Sequence, residues 1–390
     1  MTDHQKPQIW QLFYSFLRLG LTSFGGPSMV VYIRRLAVEK KGWLDDRSFQ
    51  EGVALCQVIP GATAIQTAGY VGLKTGGIAG AAASFIGFGL PAFLLMTLFS
   101  IIYLKTSNLP IFLSLFGGLE ALIVAIVANA TISFGRNTLK NWKSVVIAVG
   151  SASLFALKLH PVIVILFAGF SGYFLNRTGQ SPSLVKPGSH APLRYFRPIV
   201  VVLLVATVAL TLLYFLRRDL FFLGILMFRI DIFAFGGGFA SIPLMFHEIV
   251  EVRGWLDSQT FMDGIVLGQV TPGPIVITAT FIGYMFQQFP GAIVATICIF
   301  LPSFLMLVTI LPFFERLKSS AAFNSVIKGI LASFVGLLLT VTVRFALDTT
   351  WNLPHFLLAV LAMAALIKKI DLLWVVGVGA IFSILVHFIQ

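Results

Sequence analysis

The sequence predicts an all-α integral membrane protein made of two homologous, inverted repeats of broken and full transmembrane helices. Three observations lead there: an unusually apolar composition, a duplicated set of Gly/Pro phrases, and opposite charge in the two copies of one loop. Apolar residues make up 58% of the 390 and charged residues 11%, whereas a soluble domain carries roughly 25% charged residues. Mean hydropathy is +0.95. Apolar runs long enough to cross a bilayer occur at 78–104, 111–134, 198–216, 292–314 and 372–390. A soluble core would instead need polar helix faces between such runs.

The duplication is read from four phrases in fixed order. Phe24-Gly25-Gly26 returns as Phe235-Gly236-Gly237, and Gly42-Trp43-Leu44-Asp45 as Gly254-Trp255-Leu256-Asp257. Gln57-Val58-Ile59-Pro60-Gly61 returns as Gln269-Val270-Thr271-Pro272-Gly273, and Leu90-Pro91-Ala92-Phe93-Leu94 as Leu301-Pro302-Ser303-Phe304-Leu305. The offset stays within 211 to 212 residues, so this is an internal repeat. In membrane proteins, such paired interruptions of apolar segments point to a substrate site built from broken helices.

Charge then orders the halves. The net charge of +12 would suggest nucleic acid for a soluble protein, but here Lys and Arg gather in short loops, as on the cytoplasmic side of a membrane protein. No nucleic-acid partner is expected. The polar, basic stretch around 177–197 divides the chain into a first repeat, 1–180, a linker with a connecting membrane helix, 181–215, and a second repeat, 216–390. The connecting helix corresponds to the apolar run 198–216. Ahead of the first Gly-Trp-Leu-Asp phrase stand Arg34, Arg35, Lys40 and Lys41, with Arg47 just after it; the second copy has Arg253 against Glu248, Glu251 and Asp257. One loop is therefore expected inside and its twin outside, which turns the halves upside down relative to each other. The N-terminus, polar over 2–7 with Arg18 in the following segment, does not read as a cleaved signal. Cys56 and Cys298 stand in apolar surroundings and read as buried bystanders.

Candidate chemistry sits at the repeated interruptions. Arg18 and Arg229 each precede a Phe-Gly-Gly by six residues. An arginine at membrane depth costs on the order of 2.5–3.5 kcal/mol on insertion scales, so it must face protein, water or an anion. Its planar guanidinium suits two oxygens of a tetrahedral oxyanion, and the two arginines are expected to converge near the repeat axis. Snorkelling near a helix end is the competing reading. Phe24, Gly25, Gly26 and Phe235, Gly236, Gly237 free the backbone for close approach to a ligand. Pro60-Gly61 and Pro272-Gly273 remove helical hydrogen bonds, and a helix restarting after such a break offers N–H groups to an anion. Gln57 and Gln269 stand beside these breaks as orienting amides. Glu51 and Asp263, six residues before each glutamine, are either proton carriers or helix-start acids behind Ser48 and Thr260. Trp43 and Trp255 read as interfacial anchors. The histidines show no metal spacing, and His160 and His355 read as loop residues.

Enzyme signatures are missing: there is no Gly-x-x-x-x-Gly-Lys-Ser/Thr, His-Glu-x-x-His or Gly-x-Ser-x-Gly, and the glycines at 235–239 open no strand–turn–helix unit. No catalytic residue, metal or cofactor is expected, and transport would be secondary. The Phe24-Gly25-Gly26-Pro27, Gly42-Trp43-Leu44 and Gln57-Val58-Ile59-Pro60-Gly61 phrases, with their copies, resemble the chromate ion transporter family over essentially the whole chain. The resemblance implies a bacterial inner-membrane, multi-pass protein that exports chromate, with sulfate as the look-alike anion, and so confers chromate resistance. It also implies duplicated, oppositely oriented halves. The second copy departs from the first in having Gly238 where the first has Pro27, so the two breaks need not act equally. The function expected is secondary transport of a divalent oxyanion, chromate before sulfate, with an anion channel as the alternative. The lipid bilayer is the expected surrounding, and a homodimer the assembly allowed for.

Overall fold

The computed structural model describes residues 7–24, 28–106, 109–175 and 193–389. Among these residues the chain is helical throughout, with no strand. Helix α1 (Ile9–Thr22) buries Leu12, Phe16 and Gly20, one stripe at a spacing of four. A side chain at Gly20 would run into the Phe88 backbone, so the stripe lies directly on the helix that carries Phe88. Helix α2 (Ser28–Arg34) passes into a π-helical turn, Arg35–Lys40, before the Gly-Trp-Leu-Asp loop.

The next two helices show how the breaks work. Helix α3 (Asp46–Val58) is capped by Asp45, whose carboxylate accepts the Ser48 N–H and hydroxyl, both at 2.8 Å. Those bonds hold the Asp45 carboxyl below its ordinary range. Helix α4 (Thr63–Thr106) begins just after Pro60-Gly61. The Tyr70 hydroxyl donates to the Ser48 carbonyl at 3.0 Å, and its ring lies where a Gly52 side chain would be. Twenty-two residues of straight helix would separate Ser48 from Tyr70 by roughly 33 Å. The chain therefore reverses at Pro60-Gly61, and α3 with the start of α4 forms a re-entrant hairpin. At 13 residues, α3 reaches about 20 Å, short of the ~30 Å hydrocarbon core. Helix α4 reverses again at Gly76-Gly77, where φ of Gly77 is +63°, and Gly72 and Gly80 touch backbone to backbone. The remainder, 78–106, is long enough to cross.

Helices α5 (Pro110–Thr138), α6 (Trp142–Ala156) and α7 (Pro161–Leu175) complete the first half. Helix α8 (Leu193–Leu216) then stands almost alone: of its apolar stretch only 6% is buried, as suits a helix facing lipid. Phe85 packs against Phe304 and Phe93 against Phe289, so the equivalent segments 78–106 and 289–310 run antiparallel and the second half is turned over relative to the first.

The second half repeats the first. It runs through α9 (Arg218–Phe233), a short turn at Gly238–Ala240, α10 (Ser241–Phe246), a second π-helical turn at His247–Val252 and α11 (Ser258–Val270). Helix α11 is capped by Asp257 on the Thr260 N–H at 2.7 Å. Helix α12 (Thr278–Ile310) reverses at Gln287-Gln288, 211 residues after Gly76-Gly77, with Gly283 against Gly291. Helices α13 (Phe314–Ser319), α14 (Ala321–Asp348), α15 (Leu353–Ile367) and α16 (Leu372–Ile389) follow. Thr131 of α5 and Thr342 of α14, also 211 apart, touch hydroxyl to hydroxyl at 3.2 Å. Equivalent residues can meet only near the axis relating the halves, so α5 and α14 cross on it.

Among the described residues, five helices are long and apolar enough to span a membrane: 63–106, 114–138, 199–216, 275–313 and 321–348, the first and fourth by the part that follows their reversal. The protein is a multi-pass membrane protein of two inverted repeats. Single cysteines at Lys40 and Val252, both exposed, are expected to react with a membrane-impermeant maleimide from opposite faces of the membrane. Labelling from one face would overturn the inversion.

Candidate functional site

The breaks of the two halves meet tip to tip. The Gly61 N–H donates to the Ala234 carbonyl at 2.9 Å, and the Gly273 N–H donates to the Ser23 carbonyl at 3.1 Å. Ser23 and Ala234 each stand immediately before a Phe-Gly-Gly, so each Pro-Gly break is tied to the other half's glycine break. Only glycine sits comfortably at 61 and 273, where φ is +110° and +124°. The freed carbonyls are also satisfied locally: the Gln66 amide donates to Pro60 O at 2.6 Å. Pro60, Gly61, Pro272 and Gly273 are all buried. Phe24, Phe235, Gly236 and Gly237 are half-buried beside them, and among the described residues a side chain at Gly237 would meet only the Thr63 hydroxyl, at 3.6 Å. Helix α4 starts at that threonine. Gly25 and Gly26 lie outside the described residues.

The polar candidates divide between the halves. Gln57 is exposed, while Gln269 is buried with its side-chain nitrogen unpartnered among the described residues. The arginines do not converge. Arg18 is exposed on α1, two residues from both Phe16 and Gly20 and hence on the face turned away from the buried stripe. Arg229 reaches along α10 to Glu248. Nineteen residues of continuous helix would hold that pair roughly 28 Å apart, so the chain reverses at Gly236-Gly237 and this break too is a hairpin tip. Glu51 makes a surface ion pair with Arg47 at 3.2 Å. Asp263 is buried, accepts the Tyr103 hydroxyl at 2.8 Å and keeps its other oxygen unpartnered.

Two features were not singled out from the sequence. One is a charge cluster where the second half meets the α6–α7 turn of the first. Buried Glu248 accepts from Arg229 and Arg253 and lies 3.0 Å from His160 Nε2. One turn along, Glu251 pairs with Arg344 and with His247 at 2.7 Å. His160 does stand in the turn before α7, yet its ring is tied into the cluster; burial pushes its imidazole below the ordinary range, against the pull of Glu248. His355, read as a loop residue, stands in the first turn of α15. The other feature is Asp231, 1% exposed, whose Oδ2 accepts the Ser303 N–H at 2.8 Å and hydroxyl at 2.7 Å. An acid inside an apolar helix was the available signal for Asp231. The cluster's acids were visible too, but as loop charges that indicated sidedness.

With this geometry in view, comparison with known proteins places the chain. The family model described as chromate transporter matches twice, over residues 10–173 and 219–384. An uncharacterized transporter of Methanocaldococcus jannaschii is 41% identical over 99% of this chain and 96% of its own length. A chromate transport protein of Cupriavidus metallidurans is 30% identical over 92% of this chain and 88% of its own. A probable chromate transport protein of Synechococcus elongatus is 29% identical over 98% and 96%. No solved structure matches. The two matched segments fall on the two structural repeats, and the chain belongs to the chromate transporter family.

Proposed function

We propose that the protein is a secondary transporter of a divalent tetrahedral oxyanion, chromate first and sulfate as its look-alike, and not an enzyme. It works as an exporter in the inner membrane and confers chromate resistance. Its halves, 1–180 and 216–390, move against each other about the central breaks. The observation that carries this reading is the reciprocal bonding of Gly61 to Ala234 and Gly273 to Ser23. It draws interrupted backbone from inverted repeats to one place, as a carrier with a single alternately exposed site requires. Phe24, Gly25, Gly26, Pro60 and Gly61, with Phe235, Gly236, Gly237, Pro272 and Gly273, surround the anion, and Gln57 and Gln269 orient it. Arg18 and Arg229 receive it on the two sides. Of the repeated acids, Asp263 suits a proton carrier: it is buried, with one oxygen unpartnered among the described residues. Glu51, in its surface pair, suits a helix-end acid. The relatives named for chromate transport support the choice of substrate.

Inverted vesicles containing the protein are expected to accumulate chromate against its gradient when a proton gradient is imposed, with sulfate competing. Purely downhill flux would make it a channel, and no flux of either anion would overturn the substrate class.

A further inference from the structure

The two halves differ where they should match. In the second half the vestibule beside Arg229 is closed by Glu248, which takes Arg229 of α9 and Arg253 beyond the π-helical turn at once. The α6–α7 turn closes over it through His160. At the equivalent place in the first half, Leu36 stands for Glu248, counting 212 residues back as the two π-helical turns align. Asp371 of the α15–α16 turn stands for His160, 211 residues on. There a cavity of about 460 Å³ remains, lined by Thr22, Phe24, Tyr32, Asp371, Trp374 and their neighbours. Arg18, one turn from Thr22, has no ion pair among the described residues. The basic residues of the first half that are paired lie elsewhere: Arg34 holds Glu39 and Asp46 at 2.6 Å each, and Arg47 holds Glu51.

We infer that Arg229 and Arg253 form a binding site for a divalent oxyanion, and that Glu248 is a built-in anion seated in it which must take up a proton before substrate enters. This rests on the oxyanion reading above and adds to it the occupant of the site and its exchange. Two guanidinium groups sharing the two oxygens of one carboxylate already make the contacts they would make to two oxygens of a tetrahedral anion. Charge balance points the same way. Arg229, Arg253 and Arg344 face Glu248 and Glu251, which leaves one positive charge. With Glu248 protonated, three guanidinium groups face one carboxylate, and a dianion neutralises the remainder. A buried carboxylate and a dianion on the same arginines would repel strongly, so the two exclude each other. The first half has an arginine without such a carboxylate, so the gate is one-sided, and a single acid makes entry on that side dependent on a proton.

The other titratable groups around Glu248 are His160, His247 and Glu251, so the test must separate them from it. Sulfate is the probe, because it stays a dianion over the range used while chromate gains a proton. Binding to the purified full chain is measured by calorimetry at about pH 8 and about pH 5.5. The wild type is expected to bind sulfate about tenfold or more tightly at the lower pH. Glu248→Gln is expected to bind at least as tightly at both, with the pH dependence gone, and Glu248→Asp to keep it. Affinity that is flat with pH in the wild type overturns the inference without any variant. A pH dependence that survives in Glu248→Gln belongs to another group of the cluster and also overturns it, leaving the oxyanion reading standing. Wild type that binds neither sulfate nor chromate removes that reading and this inference with it.

Discussion

Gly61→Ala is expected to abolish transport even where the protein still inserts. Gly61 combines two demands that alanine cannot meet together. Its φ is +110°, outside the left-handed region that alanine tolerates even at a penalty. A methyl group would also overlap the Ser303 hydroxyl and lie 2.8 Å from the Gln66 amide. The neighbours cannot simply give way: Ser303 is held by Asp231, and the Gln66 amide closes the freed Pro60 carbonyl. The methyl would thus push on both groups that hold the break and would lengthen the Gly61–Ala234 bond that joins the halves. Gly273→Ala shares the φ problem but among the described residues meets only Ala92, its Cβ at 2.7 Å, so its loss is expected to be smaller. Gly254→Ala is the control: its φ is +58° and nothing lies within 4 Å of the added methyl. It should cost about 1 kcal/mol of strain and keep activity. Uptake by vesicles matched for protein content checks the series. Full activity of Gly61→Ala would show that this break does not have to hold its shape.

Much of the fold is legible in the sequence because the features that build it are local. Proline and glycine inside apolar runs mark breaks whatever surrounds them, and the duplication makes each visible twice. The caps Asp45 and Asp257 and the loop charges are likewise local. What stays hidden is direction at a break. Pro60-Gly61 in sequence is equally consistent with a kink; it takes Tyr70 reaching Ser48 to show a reversal. The second turn at Gly76-Gly77 has a weaker signal, since its counterpart is Gln287-Gln288, with a glutamine at φ +51°. The candidate site is less legible for the same reason. A repeat suggests equivalent roles for Arg18 and Arg229, but their partners come from positions that have diverged: Glu248 faces one arginine, and Leu36 stands at the other's equivalent place. Arg344 joins through Glu251 from far along the chain, and no spacing rule anticipates that.

Asp231→Ala is expected to be the most destabilising single change near the central breaks. The carboxylate lies inside an apolar helix, 1% exposed, and its Oδ2 accepts both the backbone N–H and the hydroxyl of Ser303. Ser303 follows Pro302 within α12, where the proline already interrupts the helical ladder. Asp231 thus joins α9 to α12 directly behind the Gly61 break. Alanine would strand a buried N–H and a buried hydroxyl with no water to replace the lost acceptor. A hydrogen bond contributes roughly 0.5–1.5 kcal/mol, and a buried donor left without its acceptor costs about 1–3 kcal/mol, so a loss on the order of 3 kcal/mol is expected. Asp231→Asn keeps an oxygen for both Ser303 donors but turns an amide N–H₂ toward the place of the unpartnered Oδ1, so it should fall between wild type and Asp231→Ala. Ser303→Ala removes only the hydroxyl bond and should lose less than Asp231→Ala, and combining it with Asp231→Ala should add little, because the two share one contact. Thermal unfolding in detergent orders the four proteins. A melting point for Asp231→Ala equal to that of wild type would mean that the carboxylate does not fasten α9 to α12, and the rigidity of the Gly61 break would then need another source.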